Sequence, residues 1–267
     1  MDIGLRVWRG GWDLHPWLAG SILGLFVLYL VGAWLVGSRS GERLSVGRFA
    51  LFTLGIAALF ATLHSPLHHL ADDYLFSAHM AQHQLLTLVI PPLLLLGTPE
   101  WLLRPLLDHA MIRSLGSSRL YPVVAFALFN ILFAFAHFPS VYDALFSSEL
   151  PHRLAHVAFL IAATIGWLPI ASPIPSVIPR LTQPGQMLYC FLQCIPGSLV
   201  GALITLSDRI VYRHYGARPM ELGVAPLADQ QLGGLLMWVV SGTFYLVVLT
   251  VIFFAWADRE EATAYGG

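Results

Sequence analysis

The feature that most constrains this chain is a series of seven apolar runs, each about as long as a bilayer is thick. A helix needs about 20 mostly apolar residues to cross the hydrocarbon core, roughly twice what a barrel strand needs. Runs of that length lie at 17–36, 47–63, 78–97, 121–138, 154–170, 187–206 and 233–256. In lipid the backbone must satisfy its own polar groups, so runs of this length imply helices. The expected fold is therefore all-α: a polytopic transmembrane helical bundle of about seven spans, a single integral membrane domain over residues 1–267. Helix breakers inside the runs are Pro91-Pro92, Pro169 and Pro196-Gly197, which neighbouring helices can accommodate. The first run is long for a signal-peptide core and lacks a clear small-residue cleavage site, so it reads as a retained span.

Composition supports the same class. Hydrophobic residues make up 57% of the chain and charged residues 11%, against roughly 25% charged in an average soluble domain. The net charge of −1 gives no reason to expect a nucleic-acid partner. All 14 basic residues are arginine. With the N-terminus outside and the C-terminus inside, the inner segments hold eight arginines and the outer segments six, Arg6 and Arg9 among them. The positive-inside rule thus leans towards an outer N-terminus. Nothing in the sequence specifies an oligomeric state.

The topology has a sharper consequence for the 11 histidines. His64, His68 and His69 follow the second run, His79 and His83 open the third, His137 closes the fourth, and His152 and His156 lead into the fifth. Asp208 closes the sixth, and Asp229 and Gln230 precede the seventh, with Met237 just inside it. Alternate connections share a side, so these groups share one face of the membrane. Ionisable groups at membrane depth usually face a bundle interior and mark function. The pairs His64/His68, His79/His83 and His152/His156 have i, i+4 spacing, which places two imidazoles one turn apart on one helix face. Imidazole suits copper, zinc, nickel and iron, and the thioethers of Met80 and Met237 add a preference for Cu(I).

Each of these residues also has a plainer reading. His64, His68 and His69 lie in an expected loop beside Asp72 and Asp73, where solvated histidines are common. Asp229 can serve as a helix N-cap, and Asp208 can pair with Arg209 or Arg213. Either aspartate can also support a ligating histidine, whose second nitrogen usually needs an acceptor. Cys190 and Cys194 begin the sixth run from the opposite side, and buried cysteine is most often a small hydrophobe.

The segment Phe76-Ser77-Ala78-His79-Met80-Ala81-Gln82-His83-Gln84-Leu85-Leu86, followed by Pro91-Pro92-Leu93-Leu94-Leu95-Leu96-Gly97-Thr98-Pro99, resembles the signature of the CtaG family of cytochrome c oxidase assembly factors, the caa-type oxidase group. His137-Phe138-Pro139 with Tyr142-Asp143, His152 to His156, Asp208-Arg209 with Tyr212, and Pro226 to Gln231 with Gly234 and Met237-Trp238 follow in the family's order. The resemblance runs from about Gly47 to Trp256. It implies a multi-pass protein of the bacterial plasma membrane that helps mature a haem–copper oxidase, with a metal site facing the cell exterior or periplasm. It further implies copper taken from a periplasmic donor and passed to cytochrome c oxidase subunits. The residues it carries over as polar site positions are His79, Met80, His83, His137, His152, His156, Asp208 and Asp229. His64, His68 and His69 depart from the pattern.

Two other readings fit the same histidines. A seven-span zinc-dependent membrane hydrolase would use them with parts supplied by Asp208, Asp229, Ser77 and Ser207. A haem b carrier would use two facing histidines, such as His83 and His156, as axial ligands.

Overall fold

The computed structural model describes residues 11–12 and 15–265, so Arg6 and Arg9 lie outside the described residues. It is built of helices, and there is no strand among the described residues. In chain order these are α1 (Pro16–Ser40), α2 (Val46–His64), a short α3 (Pro66–Asp73), α4 (Phe76–Gly97), α5 (Glu100–Leu107), α6 (Ala110–Ser117), α7 (Tyr121–Ala136), α8 (Pro139–Leu145), α9 (Glu149–Ala171) and α10 (Gln183–Thr205). The last, α11, starts at Pro226, passes through a π-helical turn at Leu236–Val240 and continues as Ser241–Tyr265.

Six of these, α1, α2, α4, α9, α10 and α11, are long and apolar enough to cross a membrane. The fourth expected span is different. It ends at Ala136, and α7 has 16 residues, about 24 Å at helical rise, short of a hydrocarbon core of about 30 Å. It meets α6 at an 85° bend, and only the two taken together have the length and apolar composition of a seventh span. The other spans begin earlier than the apolar runs suggest. The fifth begins at Glu149 and the seventh at Pro226, because a polar turn precedes each apolar run, with Glu149 exposed and His152 and Asp229 buried. The outward faces carry Leu28, Trp34, Ile131, Leu203 and Val251, all largely exposed, as expected where lipid replaces water.

The helix α4 is the centre of the bundle. Of its apolar window 56% is buried, against 11% for α1 and for α11, and it packs on α2, α3, α9 and α11. Its prolines shape it. Pro91 has no N–H to give the carbonyl of Thr87 four residues earlier. The indole Nε1–H of Trp167, from α9, donates to that carbonyl at 2.8 Å. A π-helical turn at Leu85–Val89 precedes the prolines, and the Thr87 hydroxyl donates to the carbonyl of His83 at 2.7 Å. Such π-turns are frequent at functional sites.

The helices α10 and α11 approach closely through glycine. A Cβ on Gly201 would stand 2.7 Å from the carbonyl oxygen of Gly234 and 2.8 Å from the amide nitrogen of Trp238. Glycine makes backbone contact between membrane helices affordable in steric terms. Cys190 and Cys194 sit in another apolar cluster, with Leu88, Trp167 and Tyr245, away from the histidines.

Candidate metal centre

Ten of the 11 histidines gather at one end of the bundle, eight of them because the ends of α2, α4, α7 and α9 meet there with α3 packed over them, and His15 and His214 from the chain around that end. His68 and His69 are on the helix α3, and His64 is the last residue of α2, so the loop expected for these three is helical. Two of the three i, i+4 pairs work as the spacing implies, whereas His64 and His68 fall on different helices, α2 and α3, parted at Ser65. The rings of His79 and His83 are 4.4 Å apart, as are those of His152 and His156. Across the α4–α9 interface, His79 is 5.5 Å from His152 and 5.6 Å from His156, and His83 is 5.4 Å from His156.

Two sets of ligand atoms are close enough to hold one ion. Nitrogens of His79, His83 and His156 lie within 4.8 Å of one another, and so do ligand atoms of Asp72, His79 and His152. A cavity of ≈ 20 Å³ lies among His79, Met80, His83, His137, His152 and His156. That is room for about one water-sized guest. Phe146 packs against His79 and His152, and Phe159 against His83, so the cavity wall is aromatic.

The nitrogens themselves are short of partners. His79 Nδ1, His156 Nε2 and His137 Nε2 are buried without a hydrogen bond, in residues that are 2%, 7% and 7% exposed. A buried polar atom left unpaired costs about 1–3 kcal/mol, so three in one cluster call for an occupant. In His137, Nδ1 is 2.7 Å from the carbonyl of Phe133 and donates to it. That fixes the tautomer and leaves the Nε2 lone pair free. His137 stands at the edge of the cluster, its ring 6.5 Å from that of His83. His64, buried and stacked on Phe60, is not in either ligand set.

Asp72 and His68, which the sequence placed in a solvated loop, form the outer wall. Asp72 Oδ1 is 3.2 Å from His152 Nε2, and Oδ2 is 3.5 Å from His68 Nε2. The Gln82 side-chain amide donates to His68 Nδ1 at 3.0 Å and to the Thr62 carbonyl at 3.1 Å. His68 is thereby set with Nε2–H towards Asp72. Burial would raise the Asp72 carboxyl, but the bond from His152 and the charges of His68 and His152 hold it below its ordinary value. Burial lowers His68, partly offset by Asp72. Both are thus held in their metal-binding forms at neutral pH. A signal for this wall was present in the His68/Asp72 and His69/Asp73 i, i+4 spacings.

The two other expected aspartates are elsewhere. Asp208 is on the surface, its side chain 96% exposed and 3.9 Å from Arg209, so it does not join the buried histidines. It lies three residues past the end of α10 at Thr205. Asp229 is buried in the first turn of α11 and caps a different helix. Its carboxylate accepts from the backbone N–H of Phe76 at 2.7 Å and of Ser77 at 3.1 Å, and from the Ser77 hydroxyl. Asp229 therefore aims the first turn of α4, two residues before His79, and is not itself a ligand in either set. Met80 is 1% exposed and lines the cavity, while Met237 packs beside it in the aromatic cluster of Phe76, Tyr142 and Tyr212.

The remaining motif residues pin the connection over the site. Gln230 Oε1 accepts from the amide of Val211 at 2.6 Å, and Asp143 from the amides of Arg213 and His214. The Tyr212 hydroxyl donates to the His137 carbonyl at 3.0 Å, His214 Nε2 to the Asp72 carbonyl at 2.9 Å, and the Tyr215 hydroxyl to the Ala71 carbonyl at 2.7 Å. These geometries also bear on the rival readings. Ser77 and Asp229 are spent on each other, and Ser207 donates to the carbonyl of Arg209, so the hydrolase parts are engaged away from the cavity. A cavity of ≈ 20 Å³ between His83 and His156 has no space for a porphyrin.

The family model described as cytochrome c oxidase caa3 assembly factor matches residues 27–259. Uncharacterized proteins of Mycobacterium bovis and Mycobacterium tuberculosis are each 26% identical over 276 residues, covering 94% of this chain and 41% of their own length. One from Mycobacterium leprae is 26% identical over 270 residues, covering 93% of this chain and 40% of its own. The chain thus spans about two fifths of the curated relatives it matches. No solved structure matches it.

Proposed function

The chain belongs to the cytochrome c oxidase caa3 assembly factor family, and from that premise we propose that it binds Cu(I) at His79, His83 and His156 and delivers it to a subunit of the oxidase. The observation that carries this reading is the set of three converging imidazoles, two of which, His79 and His156, have an unpaired buried nitrogen, at a cavity the size of one ion. The set is neutral. The solvation cost of an ion grows with the square of its charge, so a site without a carboxylate near membrane depth favours a monovalent ion over a divalent one. Soft ligation agrees, since imidazole binds copper and the Met80 thioether on the cavity wall favours Cu(I) over Zn(II). An assembly factor family points to a non-catalytic role. The site faces the periplasm or cell exterior, the side where the leaning of the arginines places the histidine end. A periplasmic donor supplies the metal there, and the oxidase subunit receives it through contact in the bilayer.

The test is metal analysis of the detergent-purified protein after Cu(I) loading, for wild type and His83→Ala. One copper per wild-type chain, with affinity reduced in the variant by more than the roughly 10–100-fold typical of losing a supporting residue, is the expected result. Wild-type protein that takes up no copper refutes the proposal, and co-purifying zinc in its place moves the site to the hydrolase reading.

A further inference from the structure

His79 belongs to both ligand sets. The inner set, His79, His83 and His156, lines the small cavity. The outer set, Asp72, His79 and His152, stands between that cavity and a second, much wider cleft of ≈ 340 Å³. The wide cleft is lined by polar groups, among them His15, His69, Asp73, Glu149 and Arg153, and Asp72 and His152 line it too. His152 lines both spaces. The two sets are therefore consecutive along one line from the surface to the buried histidines.

We infer that Asp72, His152 and His79 form an outer station that receives the ion first, and that the ion then passes to the inner station by keeping His79 and exchanging its other two ligands. This rests on the copper reading above. The transfer is ligand exchange alone. The bonds from copper to the Asp72 oxygen and a His152 nitrogen break, those to His83 and His156 nitrogens form, each group gives or takes back its own lone pair, and the metal stays Cu(I).

The chemistry of the two stations sets the direction. A hydrated cation reaching the cleft must shed water before it enters a space that holds about one molecule. The Asp72 carboxylate offsets that loss with an opposite charge, making a neutral complex at the membrane boundary. Carboxylate is a hard ligand and imidazole a softer one, so Cu(I) gains by moving on to three nitrogens beside Met80. The carboxylate is held ready by His68 and His152 on its two oxygens, while His214 holds the backbone carbonyl of the same residue. Residues holding an entry ligand from both sides prevent its collapse into the inner set.

The experiment is stopped-flow transfer of Cu(I) from a bicinchoninate complex to the full chain in detergent, with equilibrium competition against the same chelator. Asp72→Asn should still take up one Cu(I) per chain, with uptake slowed by about ten-fold or more, the low end of what loss of a supporting group costs a metal site, and with a loss of equilibrium affinity far smaller than that of His83→Ala. His152→Gln, which removes the other ligand unique to the outer set, should slow uptake in the same way, and it serves as the test where Asp72→Asn does not fold. His83→Ala should lose tight binding. Uptake at the wild-type rate in both outer variants overturns the two-station inference and leaves the copper reading standing. Loss of equilibrium affinity in Asp72→Asn as large as in His83→Ala also overturns it, since the two sets would then be one site. Wild-type protein that takes no Cu(I) overturns both.

Discussion

Replacing Asp229 separates a capping role from a ligating one. Its carboxylate accepts from the backbone N–H groups of Phe76 and Ser77 and from the Ser77 hydroxyl, in a residue that is 2% exposed. In Asp229→Ala the helix α4 loses its cap, worth about 0.5–2 kcal/mol. The two amides are left buried without a partner, at roughly 1–3 kcal/mol each. Some of this overlaps, because the cap energy already includes part of the amide satisfaction, so the sum is about 3–5 kcal/mol. For a chain of this size each kcal/mol moves the thermal midpoint by roughly 2–4 °C, giving a fall on the order of 10 °C. Asp229→Asn keeps one acceptor oxygen and should lose about half as much. The assay is the thermal midpoint in detergent, read with copper stoichiometry on the same samples. The expected outcome is a graded loss of stability, Ala worse than Asn, with stoichiometric copper retained in the Asn variant. An Ala variant within about 1 kcal/mol of wild type would refute the capping argument, and an Asn variant that loses copper at an unchanged midpoint would make Asp229 a ligand after all.

Three further outcomes are expected. Gly201→Ala puts a methyl group against the backbone of Gly234 and Trp238, which cannot yield as a side chain does, so α10 and α11 should separate at about 1–3 kcal/mol, seen as a lower midpoint. Trp167→Phe leaves the Thr87 carbonyl, already deprived of a partner by Pro91, unpaired in the bundle core, and should cost about 1–3 kcal/mol with its apolar packing largely kept. For pH, burial holds His68 below its ordinary value of 6.5, so as pH falls past 6.5 the unfolded chain takes up its proton before the folded chain does. Stability from this residue is therefore present above 6.5 and declines on acidification until the folded value is passed. The groups facing the ring are Asp72, His152, His15 and His64. Thermal midpoints at pH 7.5 and 5.5 should differ less in His68→Asn than in wild type, and an equal difference would show that His68 takes no part.

The sequence by itself determined that this chain is a membrane helical bundle and that its histidines meet at one end. Both follow from one-dimensional quantities. Apolar run length is set by bilayer thickness, and side alternates with each crossing, so neither depends on how the helices pack. The i, i+4 spacing of His79/His83 and His152/His156 likewise fixed which imidazoles share a helix face. What the sequence left open is which side chains converge, because convergence depends on helix rotation and on contacts between residues far apart in the chain. The pairing of α4 with α9 brings His156 to His79 and His83, and that packing has no local signature. Asp208 and Asp229 show the same limit from two directions. Both lie near a span end on the histidine side, and only packing sends one into solvent and turns the other on to the first turn of α4. Asp72 was overlooked because its neighbours looked like a polar loop, whereas α3 folds over the bundle end and buries one face of that helix against His152 and Gln82. Run length and spacing decided the elements, and three-dimensional packing decided which of their polar residues meet in low dielectric, where an unpaired nitrogen carries a cost and so marks a site.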